Sequence, residues 1–176
     1  EWTAKKPPRL EAFFVKVGIL VKLVKLDNSF YIENAHLKEA LDNFAGNWAS
    51  GKIRGYGIVV IKINNLTFAI PLRSNIRHKA SYIVKKSSAE GVLGKGLDYS
   101  KALLITKRSY ILANEPFMIP PDEHKRLLNK GSYIRNSFEK YVNKYIDAVR
   151  KNDLNILCSN TYRYSTLQNY HVELGC

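Results

Sequence analysis

Carboxylates and thiols are both scarce in this chain of 176 residues. Fifteen Asp and Glu stand against 28 Lys and Arg, and they are scattered with no paired signature, unlike the converging carboxylates by which a metal-dependent nuclease holds its ions. The two cysteines, Cys158 and Cys176, make neither a disulfide framework nor a metal-ligand spacing. The four histidines show no ligand spacing either, so a zinc site is not expected, and no cofactor is called for. A reducing cytoplasm suits such a composition. Long apolar runs are missing too. Lys16, Lys22 and Lys25 interrupt the Phe-, Val-, Ile- and Leu-rich stretch over residues 10–26, which falls short of the ~20 apolar residues of a membrane-spanning helix. Lys5, Lys6 and Arg9 precede that stretch in the manner of a signal peptide, without its small-residue cleavage site. There is no internal repeat and no low-complexity segment.

What remains is ordinary globular material with an unusual charge. Hydrophobic residues make up 45% and charged residues 24%, which predicts one folded domain with a real core. The net charge of +13 predicts an acidic partner, nucleic acid first and an anionic membrane surface second. The domain is expected over residues 21–176, and residues 1–20 are expected to be an N-terminal extension outside it, with Val21 as a candidate non-AUG start.

Residues 20–26 read as an entering strand. Leu37, Ala40, Leu41 and Phe44 recur at helical spacing, which predicts a short helix over residues 35–44 with Asn34 as cap and Gly46 as stop. Residues 56–63 and 66–70 are rich in β-branched residues. Asn64-Asn65 between them tolerates the positive φ of a tight turn, so a hairpin is predicted. Both arms are almost wholly apolar, which predicts a sheet covered on both faces. Pro71 has no N–H for a ladder, so pairing should weaken there and residues 72–79 should emerge on a rigid rim at a strand end. Residues 81–85 and 102–106 are further strands, joined by a loop containing Gly91, Gly94 and Gly96. Residues 122–129 form a short helix stopped by Gly131. Ser132 is expected to cap the longest helix, whose buried stripe is Ile134, Phe138, Tyr141, Tyr145 and Val149. Its opposite face carries Lys140, Lys144 and Lys151.

The densest polar constellation is Arg73-Ser74-Asn75-Ile76-Arg77-His78-Lys79. Its cations suit non-bridging phosphate oxygens, its imidazole can move a proton near neutral pH, and its hydroxyl and amide can donate hydrogen bonds. RNA cleavage without metal needs a base for the 2′-OH, positive charge on the phosphorane and an acid for the departing 5′ oxygen. One short segment supplies most of that set, although a basic run on a loop also reads as a merely solvated face.

Eleven tyrosines are interleaved with cations: Tyr82 with Lys85 and Lys86, Tyr110 with Lys107 and Arg108, Tyr133 with Arg135, Tyr162 and Tyr164 with Arg163. Single-stranded RNA is bound by such mixtures, bases on aromatics and backbone on cations. Tyr141 and Tyr145, on the helical stripe, are assigned to packing; Tyr162 and Tyr164 stay open between core and surface. Residues 163–171 offer further polar groups, or a helical turn capped by Ser165 or Thr166.

Phe68-Ala69-Ile70-Pro71-Leu72-Arg73-Ser74-Asn75-Ile76-Arg77-His78-Lys79, the later Gly96-Leu97-Asp98-Tyr99-Ser100-Lys101-Ala102 and the terminal Tyr164-Ser165-Thr166-Leu167-Gln168 together resemble the toxins of type III toxin–antitoxin systems. These are the ToxN/AbiQ-like endoribonucleases, and the resemblance is nearest to the TenpN and CptN branches. It runs from about Lys22 onward, with its pieces in the family's order. The resemblance implies an α+β fold, a compact, twisted, barrel-like antiparallel sheet with flanking helices. It implies metal-independent RNA cleavage leaving a 2′,3′-cyclic phosphate and a 5′-hydroxyl. The implied partners are target RNA and a small pseudoknot antitoxin RNA, assembled with the toxin into hetero-oligomers. No protein antitoxin and no membrane are expected.

Ser74 matches the serine after the family's Pro-Leu pair. Arg73 stands where the ToxN branch has threonine, and Ile76 where that branch has a catalytic lysine, so either Arg77 or Lys79 carries the positive charge instead or this branch works with a different set. The expected site is Arg73, Ser74, Arg77, His78 and Lys79, with His78 as proton shuttle and Lys79 as electrostatic stabiliser. Lys85, Lys86, Arg135, Lys140, Lys144, Arg163 and Tyr164 are expected RNA contacts. Two other readings compete: a basic RNA-binding module without catalysis, and a membrane-surface protein using its basic apolar N-terminus.

Overall fold

The computed structural model describes residues 21–51 and 53–176; the expected extension over residues 1–20 lies outside them. The fold is α+β. Six strands follow one another across a sheet: β6 (Ser81–Lys86), β7 (Gly94–Asp98), β5 (Thr67–Ile76), β4 (Tyr56–Val60), β1 (Leu23–Leu26) and β9 (Ile111–Pro116). A seventh, β8 (Leu103–Leu104), also pairs with β5, and every ladder of this sheet is antiparallel. The path runs from β6 to β9, and no closed barrel is found among the described residues.

The expected hairpin is β4 and β5. Asn64 and Asn65 take positive φ of 48° and 53° in the turn between them. Residues 56–59 and 67–72 are buried without alternation, as a sheet covered on both faces requires. The cover on one face is a long helix, labelled α3 (Gly131–Arg150), whose Ile134, Phe138, Tyr141 and Tyr145 are buried. Phe138 meets Phe68 edge-on at 5.1 Å and Tyr99 at 5.5 Å. Burying a side chain of that size contributes about 1.5–3 kcal/mol. Tyr162 proves to be core: it stacks on Tyr141 at 4.7 Å and 15° and donates to the Tyr141 carbonyl.

Four expectations need correction. No helix forms over residues 35–44. The helix there is α1 (Asn28–Glu33), earlier in the chain, and a small hairpin of β2 (Asn43–Phe44) and β3 (Asn47–Trp48) follows. The amides of Asn34 and Asn43 take the carbonyls of Phe30, Ala35 and Leu37, and Glu39 and Asp42 adopt positive φ. Side-chain competition for the backbone thus overrides the apolar period, and Phe44 points outward, 71% exposed.

Pro71 does not end its strand. Leu72 N–H donates to Gly55 on the β4 side at 2.8 Å, so by the pleat the Pro71 nitrogen faces the other side. There β7 and β8 run beside β5 as one interrupted strand: Leu72 pairs with Leu97 and Ala69 with Leu103, and the turn Tyr99–Lys101 leaves the ladder between them. The proline lies opposite that gap.

The glycines at 94 and 96 belong to β7 rather than to a loop. Both lie against β6 so closely that an added Cβ would sit 2.1 Å from the Lys85 carbonyl oxygen and 1.9 Å from that of Tyr82. Finally, α3 begins at Gly131 with Lys130 at its cap position, so Ser132 lies inside its first turn rather than at the cap. The shorter helix α2 (Pro121–Leu127) starts on a proline at its first position.

Candidate functional site

The gap opposite Pro71 is where polar side chains gather. Asp98, at the end of β7, is fully buried. Its Oδ1 accepts the Ser100 N–H at 3.0 Å and the Ser100 hydroxyl at 2.7 Å, the local turn that an aspartate two residues before a serine favours. Arg73 pairs with Gly96 in the ladder, so its long side chain reaches Asp98 two residues further along β7. Arg73 Nη1 donates to Asp98 Oδ2 at 2.9 Å. His78 comes from the turn between β5 and β6, which is fixed by Ser81 Oγ donating to the His78 carbonyl and by Tyr99 N–H donating to the Ala80 carbonyl, both at 3.0 Å. Its Nε2 lies 3.2 Å from Asp98 Oδ1 and 3.5 Å from Ser100 Oγ. Its Nδ1 is buried and has no hydrogen-bond partner among the described residues. Burial pushes the Asp98 carboxyl up, but hydrogen bonds from His78, Ser100 and Arg73 outweigh it and hold the group below the usual carboxylate range. Asp98 is therefore ionised at neutral pH, and Nε2 is the His78 ring nitrogen that faces it.

The C-terminal stretch closes the same place. Thr166 Oγ1 donates to the Ala102 carbonyl at 2.5 Å, the Ser100 carbonyl lies 3.3 Å from it, and Lys101 Nζ donates to the Tyr164 carbonyl at 2.7 Å. Ser165 is the cap anticipated for this turn, accepting the Leu167 N–H.

Of the expected site residues, Arg73 and His78 meet, and they meet on Asp98. Ser74 is exposed, beside Asn75, where the register between β5 and β7 slips from Arg73 to Ile76; such bulges re-aim side chains. Arg77 and Lys79 are exposed on the turn. Lys95, facing this stretch, is committed to the buried Glu123 at 2.6 Å.

Lys85 and Lys86 lie on β6 and line a groove of about 560 Å³ with Lys125, Arg126, Lys130 and Tyr82; among the described residues no acidic one lines it. Tyr82 OH donates to the Arg126 carbonyl and Arg126 Nη1 to the Val84 carbonyl, so α2 is stapled to β6. The exposed ring of Tyr133 stands 6.0 Å from that of Tyr82. Lys140 and Lys144 are exposed on the outer face of α3 and line neither feature, and Arg135 is half-buried with Nε unpartnered among the described residues. Arg163 and Tyr164 are exposed, the guanidinium 5.3 Å from the ring centre.

Sequence reasoning missed Asp98, Ser100 and the α2 cations as site residues. The Asp98-x-Ser100 turn was the available signal for the first two. Lys125 and Arg126 on α2, and Lys130 just beyond it, carry no signal until α2 is folded against β6. Among the described residues no three His, Cys, Asp or Glu side chains gather in a metal-binding group, and no helix is long and apolar enough to cross a membrane. No family model, curated protein or solved structure matches the chain.

Proposed function

We propose that the chain is an endoribonuclease toxin of the type III toxin–antitoxin kind, cutting RNA by attack of a 2′-OH on the adjacent phosphate without a metal ion. The observation that carries this reading is the convergence on Asp98. The three stretches that resemble the family lie far apart in the chain, yet Arg73 and His78 from the first meet Asp98 and Ser100 from the second, while Thr166 from the third reaches only the neighbouring carbonyls of Ser100 and Ala102. Cationic groups beside an oriented imidazole are what in-line attack requires.

In this reading Arg73, whose side chain remains 36% exposed, offers its remaining N–H groups to the phosphorane. Ser74 donates to a non-bridging oxygen. Arg77 or Lys79 adds positive charge. With Nε2 held by Asp98, His78 exchanges its proton at Nδ1, which requires the residue 77–80 turn to open around it. The groove beside β6 carries the flanking strand, backbone on its cations and a base on Tyr133. The products are a 2′,3′-cyclic phosphate and a 5′-hydroxyl. A small structured RNA is the inhibitor to which a +13 chain is suited, forming toxin–RNA hetero-oligomers in the cytoplasm, and a barrel-like curvature of the sheet belongs to the same proposal.

Incubating the protein with total RNA in EDTA tests the reading. Fragmentation that a 2′-deoxy substitution at the cut site abolishes is the expected result. Intact RNA with retained binding identifies a non-catalytic RNA-binding module instead, the second reading that the acid-free groove favours.

A further inference from the structure

On the β4 side of β5 lies a second, more enclosed pocket of about 420 Å³, unrelated to the Asp98 cluster in its chemistry. Three parts of the chain build it: α1 contributes Tyr31, the β2–β3 hairpin Trp48, and the start of β4 with the segment before it Tyr56 and Arg54. The Tyr31 and Trp48 rings meet edge-on at 5.1 Å and 72°. Arg54 donates from Nε and Nη2 to Asp42 Oδ2 at 2.9 and 2.6 Å, and both side chains are less than one-fifth exposed. The third arm of the same guanidinium, Nη1, donates to the Leu72 carbonyl at 2.8 Å, one residue before Arg73. The pocket is thereby fastened to the strand that carries the site.

We propose that this pocket binds one unpaired nucleobase of an RNA strand, its ring against Tyr31 and an acceptor on its edge meeting the Trp48 indole N–H. The inference rests on the RNA reading above for its ligand's source. Four observations carry it. The indole Nε1 is buried without a partner among the described residues, a donor that a ring nitrogen or carbonyl of a base satisfies. The walls are aromatic, which suits a flat heterocycle. Among the described residues that line it, the guanidinium of Arg54 is matched by the Asp42 carboxylate, which favours a neutral ring over a phosphate. The volume lies near the lower end of small-molecule sites, about 300–1,000 Å³, right for one nucleoside and too small for a length of chain. The Tyr31 and Tyr56 hydroxyls lie 3.4 Å apart, within reach of one hydrogen bond between them.

The test reads the indole N–H directly in the full chain. In the ¹H–¹⁵N spectrum, the Trp48 resonance is assigned by losing that of the other tryptophan in a Trp2→Phe protein. It is then titrated with the four nucleoside 5′-monophosphates, with ribose 5-phosphate, and with a non-cleavable 2′-O-methyl trinucleotide. The expected result is a saturable shift of the Trp48 resonance with at least one monophosphate and none with ribose 5-phosphate. The trinucleotide should bind about tenfold tighter, because its other nucleotides add contacts at high effective concentration. Tyr31→Ala should weaken binding about fivefold or more through lost stacking; should that variant not fold, the wild-type titration decides alone. No shift, or an equal shift with ribose 5-phosphate, overturns the pocket, and a trinucleotide no tighter than a mononucleotide overturns the RNA source. Because nothing is cleaved, a protein that responds here yet cuts no RNA rejects the nuclease reading and keeps the pocket, and the converse result does the reverse.

Discussion

Arg73 Nη1 and Asp98 Oδ2 stand 2.9 Å apart, although 25 positions separate the two residues in the chain. The guanidinium is partly exposed and the carboxylate wholly enclosed. A phosphate arriving from solvent therefore meets the cation, while the anion stays behind it and fixes its direction. Removing either partner changes more than charge, because Asp98 also orients His78 and Ser100.

Asp98→Asn should destabilise the fold by about 2–4 kcal/mol in denaturant unfolding at neutral pH, since an amide cannot accept all the donors that Asp98 satisfies and the buried pair is broken. The folded-state pKa of this carboxyl lies below its ordinary value. Its stabilising contribution is therefore complete above the ordinary carboxylate range of about 4 and is lost as pH falls through the lower folded value. The stability gap between wild type and variant should close in acid. A gap that stays constant down to pH 2 rejects the assignment.

Gly96→Ala places a methyl carbon where the Tyr82 carbonyl oxygen lies 1.9 Å away. The obstacle is backbone, so β6 and β7 must part. A loss of about 2 kcal/mol or more is expected, the size of an overpacked core site, together with faster amide exchange along residues 81–86. An unchanged melting temperature contradicts the described register.

His78→Ala and Lys79→Ala separate the proposed roles in single-turnover cleavage. A proton shuttle contributes about 10²–10⁴-fold, so the first variant should lose rate on that scale and lose its pH dependence. The second should slow cleavage while keeping the pH profile. Near-wild-type rates from folded variants remove both residues from the mechanism.

Lys85→Ala, Lys86→Ala and Lys125→Ala should weaken RNA binding uniformly across sequences. The slope of log K against log salt should flatten by about 0.7 for each phosphate contact removed from a single strand. Lys140→Ala and Lys144→Ala, on the outer face of α3, should leave the slope unchanged if the groove alone guides the strand. A slope that falls for the α3 pair and not for the groove moves the interface to that helix.

The hairpin of β4 and β5 and the buried stripe of α3 were legible because each follows from one local rule, β-branched residues around two asparagines in one case and a 3.6-residue period in the other. Pro71 was legible in its cause but not in its consequence. The pairing does fail beside it, yet the strand continues to Ile76, because β4 holds the opposite edge as far as Pro71 and β7 takes up the ladder again from Leu72. Residues 35–44 misled, since their apolar spacing carries no information about the Asn34 and Asn43 amides competing for the same carbonyls.

From its residues alone, this chain determined a charge that calls for a polyanionic partner, an apolar sheet covered on both faces, and a cluster of cations with one imidazole after Pro71. Those are properties of composition and short-range pattern, and no fold is needed to read them. Tertiary structure decided which of those cations are held and which are left in solvent. Asp98 and Ser100 reach Arg73 and His78 only because β7 inserts beside β5 and then leaves the ladder for three residues. The α2 cations join Lys85 and Lys86 only because Tyr82 and Arg126 bind that helix to β6. Contacts of that kind depend on which strands become neighbours, and long-range pairing is set by the whole core rather than by any local stretch of sequence.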